Sequence, residues 1–190
     1  MIPVQIQVEG DSIEESYVLD IEGSKTGKLK ACSELVNQLL EEREELDPDN
    51  DEPIQIVVSG QGFTANEVKI AFAYMEHYDF NCPEYGKIIS TDIKKNCHGD
   101  YDANLANSYD LENIKILHSC ASFFQIKSLI RLCYIRIGVE VYMNTNESGA
   151  VQKMMDKFKI EQAYTIHTEQ NLKNQYPFLK GAIEKNIYGN

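Results

Sequence analysis

The sequence predicts an α+β fold, a small sheet with helices, followed by a helical C-terminal region. Three observations carry this. Val4, Ile6 and Val8 alternate with Gln5, Gln7 and Glu9, the period-two pattern of a half-buried strand. Ile54-Gln55-Ile56-Val57-Val58 is a second, more apolar strand. Helical patterns fall between and after the strands without strict alternation, which favours α+β over a doubly wound sheet.

Taken in order, the first strand ends at the turn signal Gly10-Asp11-Ser12, and Tyr17-Val18-Leu19 supplies another strand. Leu29, Cys32, Leu35, Val36 and Leu39 then fall on one helical stripe. The stretch 41–52 holds eight acidic residues in twelve, with Pro48 among them, and reads as a solvated loop before the strand at Ile54. Thr64 and Glu67 form a capping box for a helix carrying Val68, Ala71, Phe72 and Met75. From 79 to 106 the periodicity is lost among Gly, Asn, Asp and Cys, so a long loop is expected. Asp110 can cap a helix carrying Ile114, Leu117, His118 and Ala121. A further helix carries Ile126, Leu129, Ile130, Cys133 and Ile137. Met143 to Gly149 is a polar break. Beyond it, Val151, Met154, Met155 and Phe158 form a short amphipathic helix, and Thr165 caps a last one containing Leu172.

Composition bounds the function. The net charge of −12 opposes binding to nucleic acid and to anionic membranes, which are held by basic patches. No apolar run approaches the roughly 20 residues that span a bilayer, and the N-terminal residues lack a signal-peptide pattern. The five cysteines are irregularly spaced with no Cys-x-x-Cys pair, as in reduced cytoplasmic or nuclear proteins.

No catalytic constellation is legible. His118 and Cys120 lie two apart on a helix and face different directions. Cys82, Cys97 and His98 lack the paired ligand spacing of zinc modules, so no metal and no cofactor is expected. Gly60-Gln61-Gly62 lacks a third glycine and reads as a turn.

The block Ser122-Phe123-Phe124-Gln125-Ile126-Lys127-Ser128-Leu129-Ile130-Arg131 resembles the Asn-Tyr-Leu-Asp-Ile-Lys-Gly-Leu-Leu-Asp core of the Skp family, the adaptors that join cullins to F-box proteins. Other pieces follow in the same order. Tyr74-Met75-Glu76-His77 is similar to that family's Trp-Cys-x-x-His, and Tyr101-Asp102 to its Trp-Asp. Phe158-Lys159-Ile160, Tyr164-Thr165, Leu172-Lys173 and Phe178 are similar to its C-terminal tail. The chain contains no Trp, and Ser122-Phe123 stands where the family has Asn-Tyr.

The resemblance implies a BTB/POZ-like domain over 1–142 and a helical F-box-binding region over 143–190. It places Ser122 and Phe123 at a cullin-binding surface. It places Met154, Met155, Phe158, Ile160, Tyr164, Leu172 and Phe178 against an F-box protein. It implies no catalysis; the mechanism would be proximity, a substrate receptor held near a ubiquitin-charged enzyme. BTB folds self-associate, so a homodimer of the unpartnered chain is among the implied states. Ser122 lacks the amide and Phe123 the hydroxyl of the family pair. That motivates an alternative: a structural subunit of a cytoskeletal, ciliary or kinetochore assembly that keeps the F-box-like grip without the ligase. An elongin-C-like adaptor is disfavoured by the Phe158–Phe178 segment, which that family lacks.

Overall fold

Every second residue of β1 (Val4–Val8) is buried, and the same holds for β3 (Ile54–Val58). The two strands pair in parallel with Val4 opposite Ile54, Ile6 opposite Ile56 and Val8 opposite Val58, so both buried rows share one face. β2 (Tyr17–Ile21) pairs antiparallel on the other side of β1, giving a mixed three-stranded sheet of order β2-β1-β3. A computed structural model describes residues 2–9, 17–47, 49–144 and 155–156. Among them the architecture is α+β.

The helices are α1 (Gly23–Cys32), α2 (Glu34–Leu46), α3 (Ala65–His77), α4 (Asp100–Asn107), α5 (Leu111–Phe123) and α6 (Lys127–Asn144), with a 3₁₀ turn at Ile93–Asn96. The chain divides into two compact units, 1–136 and 137–190, at a point within α6. The core of the first unit gathers Ile6, Leu29, Val36, Val68, Tyr74, Met75, Ile114, Leu117, Phe124, Ile126, Leu129 and Leu132, each almost fully buried.

Four expectations need correction. The stripe from Leu29 to Leu39 is two helices, broken at Ser33, whose extended backbone ends α1 and caps α2. The acidic stretch 41–52 is not all loop, because α2 continues through Leu46. Glutamate is a good helix former, its charges lie on the solvated face, and Asn37 donates to Glu41 one turn on at 3.0 Å. The stretch 79–106 is not all loop either. It holds the 3₁₀ turn, capped when Asp92 accepts from the Lys94 N–H, and α4. Asp100 and Asp102 favour the positive end of α4, and Ala103 and Ala106 pack inward at three-residue spacing. Finally, α6 runs through Met143 and Asn144, where a polar break is expected.

The helix starts agree with expectation. Asp110 accepts from the Asn113 N–H at 2.8 Å, capping α5. At α3 the Thr64 N–H donates to Glu67 at 2.8 Å, and the Thr64 hydroxyl accepts from Asn66 at 3.2 Å. Gly60 and Gly62 both adopt positive φ, 64° and 75°, in the turn that joins β3 to this cap.

Burial of Glu67 opposes its ionisation, but hydrogen bonds from Thr64 and Asn66 outweigh it and hold the carboxyl below its ordinary value of 4.5. A depressed folded value means that the stabilisation is present above the ordinary value and lost as pH falls through the folded one. Thr64→Ala is therefore expected to cost about 1 kcal/mol at neutral pH. In denaturant melts of both proteins, that gap should narrow below pH 4.5.

Candidate functional site

The α5–α6 turn is built from a helix ending that normally uses glycine. The Ile126 N–H donates to the Ala121 carbonyl at 2.9 Å, and the Gln125 N–H to the Ser122 carbonyl at 3.1 Å. This bond pair is a Schellman motif, and buried Ile126 and Ala121 supply its apolar contact. The left-handed position, φ 53°, is occupied by Gln125. Such a conformation costs an ordinary residue on the order of 1 kcal/mol, so other contacts must offset it.

Ser33 provides them. Its hydroxyl is fully buried, donates to the Phe124 carbonyl at 2.6 Å and accepts from the Val36 N–H at 3.3 Å. The Glu34 N–H reaches the Gln125 carbonyl at 3.5 Å. Lys127 pairs with Glu34 at 3.2 Å, an exposed contact of little energetic weight. The start of α2 thus grips the end of α5.

Phe124 is fully buried and meets Phe72 edge-on at 5.4 Å. Phe123 is half-buried between Phe63, at 5.7 Å, and Phe124, at 5.0 Å. Ser122 is exposed. The two residues expected at a protein-binding surface are therefore adjacent and reachable, on a turn whose Phe124 and Ile126 are locked into the core. Of the residues expected to hold an F-box protein, Met155 is half-buried within a helical stretch with Asp156. Met154, Phe158, Ile160, Tyr164, Leu172 and Phe178 lie outside the described residues, as does the Thr165 cap.

A second cluster joins pieces far apart in sequence. The rings of His77 and Tyr101 stack at 3.6 Å and 11°. The Tyr78 hydroxyl donates to Asp102, whose other carboxylate oxygen accepts from the His98 N–H at 3.2 Å. Asp102 is fully buried. Nearby, the Tyr74 hydroxyl bonds Ser128 at 2.6 Å and Tyr85 at 3.0 Å, and Ser128 donates to the Pro83 carbonyl. Burial pushes the phenols of Tyr74, Tyr78 and Tyr85 upward, and Asp102 adds to the effect. They stay protonated and serve as hydrogen-bonding struts. Sequence patterns single out neither Tyr78 nor Tyr85, and Ser128 only as a member of the block from Ser122 to Arg131, because nothing in their spacing signals that they meet.

Chemical groups elsewhere are dispersed. His118 is half-buried, its titration pushed down by desolvation, and its ring lies 4.9 Å from Tyr134. Cys120 is fully buried and its thiol is pushed up by burial. Among the described residues no group of three or more His, Cys, Asp or Glu is placed to hold a metal ion. No helix among them is long and apolar enough to cross a membrane. A surface cleft of about 290 Å³ lies between α2 and β3, where Leu39, Arg43 and Leu46 face Ile54. Leu46 there is 85% exposed.

No protein-family model matches the chain, and no curated protein matches it.

Two variants test how the turn is held. Ser33→Ala removes a cap and leaves the Phe124 carbonyl buried without its partner, and should cost about 1–3 kcal/mol in equilibrium unfolding. Gln125→Gly relieves the left-handed strain and should gain about 0.5–1 kcal/mol. A loss of stability there would show that the Gln125 side chain contributes more than its backbone costs.

Proposed function

We propose that the protein is an adaptor of a cullin–F-box ubiquitin ligase, with a BTB/POZ-like domain that docks a cullin and a C-terminal region that holds an F-box protein. One observation carries the reading. In the block that resembles the Skp core, Phe124, Ile126 and Leu129 point into the core while Ser122 and Phe123 remain at the surface. A half-exposed aromatic on a rigid turn is the kind of residue that anchors an interface. The contact between Tyr74-Met75-Glu76-His77 and Tyr101-Asp102 also supports the reading, because two pieces of the resemblance far apart in sequence pack on each other. The overall acidity suits a basic partner surface and speeds its encounter.

The adaptor acts by proximity and requires no chemistry of its own. It raises the local concentration of a bound substrate near the ubiquitin-charged enzyme. The second reading, a structural subunit that keeps the F-box-like grip and has lost the cullin, is favoured by the Ser122-Phe123 pair, which carries neither the amide nor the phenol of the family it resembles.

Affinity purification of the chain from its own cells, with mass spectrometry of the retained proteins, separates the two. A cullin with several F-box proteins supports the ligase adaptor. Phe123→Ala should then lower cullin recovery about ten-fold or more and leave F-box recovery unchanged. One F-box-like protein within a large assembly, with no cullin, supports the structural subunit. Retention of neither class would overturn both readings.

A further inference from the structure

Cys32, the last residue of α1, and Cys82, in the segment after α3, are 50 residues apart in sequence with their sulfurs 3.0 Å apart. The Cys32 thiol also donates to the Phe80 carbonyl at 2.9 Å. Both side chains are half-buried, so a small oxidant reaches them, whereas Cys120 and Cys133 are fully buried. Phe80 is itself fixed, because its N–H donates to the Met75 carbonyl at 2.8 Å in a second Schellman ending. Asp79 and Phe80 there adopt φ of 46° and 59°. Two fixed helix ends therefore hold the two sulfurs in contact.

From this geometry we infer that Cys32 and Cys82 form a peroxide-oxidisable pair, a reversible disulfide site that fastens the end of α1 to the segment beyond α3. The two sulfurs differ in character. Once it has lost its proton, Cys32 accepts hydrogen bonds from the Cys82 side chain and backbone, which lowers it to about 7 against the opposing effect of burial. The bond with Cys32, burial and the charge of Asp102 push Cys82 the other way. Cys32 is the nucleophile and Cys82 the resolving thiol.

The steps balance with hydrogen peroxide as oxidant. The Cys32 thiolate attacks one peroxide oxygen and the O–O bond breaks. Hydroxide leaves and takes a proton to become water, and Cys32 becomes a sulfenic acid. The Cys82 sulfur then attacks the Cys32 sulfur; the S–S bond forms and the S–O bond breaks. The departing hydroxide takes the Cys82 proton as a second water. Two thiols have lost two electrons and one peroxide has gained them. A dithiol reductant reverses the change by exchange.

The test uses the full chain, reduced and then treated with hydrogen peroxide, alkylated, digested without reductant and analysed by mass spectrometry. The expected product is a peptide joining Cys32 to Cys82, absent after dithiothreitol. Cys32 should be consumed on the order of ten-fold faster than Cys120 or Cys133. Cys82→Ser should give no cross-link and leave Cys32 as a sulfenic acid that dimedone captures. Cys32→Ser should leave Cys82 reduced at the same peroxide dose. In guanidinium the selective pairing should vanish, since the fold creates it. The proposal is overturned if both thiols survive peroxide that oxidises the other cysteines, if Cys32 pairs elsewhere or between chains, or if the same pairing persists in the unfolded chain.

Discussion

The hydroxyl of Ser33 is the contact on which the geometry of the candidate surface depends. It breaks what would otherwise be one long helix, caps the second half, and donates across the fold to the carbonyl at the end of α5. A buried hydroxyl without partners is costly, and a buried carbonyl without a donor equally so. Here each satisfies the other, and the arrangement has one register only. The consequence reaches the candidate surface through Phe124. That residue is clamped by its carbonyl and by its ring against Phe72. Its neighbour Phe123 must then leave the core part-way and stand against Phe63.

The chain has no Trp and eleven Tyr, and that choice shapes the second polar constraint. A large ring at position 74 fills the core as any aromatic would, but a phenol must also find partners inside. Tyr74 finds Ser128 and Tyr85, and Ser128 is the second residue of α6. The network therefore ties α3, the segment around Pro83 to Tyr85, and α6 together. Asp102 does the same for Tyr78 and the turn at His98. Such a network exchanges the non-specific attraction of apolar packing for contacts that tolerate only one arrangement. The loop-like region between α3 and α4 keeps a defined path for that reason, although it has little regular structure.

What could be read from residue order follows the range of the underlying force. Strands β1 and β3 were legible because burial on one face imposes alternation, and the starts of α3 and α5 because a cap acts over three residues. The break at Ser33 was hidden, since an apolar stripe crosses it without interruption and its cause is a carbonyl 91 residues away. Helix α4 was obscured because Gly99, Asp100 and Asn104 suggest a turn, while the inward faces of Ala103 and Ala106 show only once the partners are known. Ser122 and Phe123 were found from a resemblance rather than from a physical signal. The sulfur pair was illegible, as irregular spacing says nothing about two residues brought together by separate helix ends. The C-terminal candidates from Phe158 to Phe178 fall outside the described residues.

Both sites adjoin a helix that ends in a left-handed turn without glycine, Asp79-Phe80 after α3 and Gln125 after α5. Strain of this kind persists only where the surroundings over-determine the backbone. After α5 the over-determination comes from Phe124, Ile126 and Ser33, all buried. After α3 it comes from buried Phe80, whose carbonyl accepts the Cys32 thiol. In each case the residue that holds the backbone is not the residue that faces outward. Phe123 and Cys82 each stand beside such residues, Phe123 against Phe63 and Phe124 and Cys82 against Cys32. Changes at either therefore alter the chemistry of the surface while the turn beneath it stays intact.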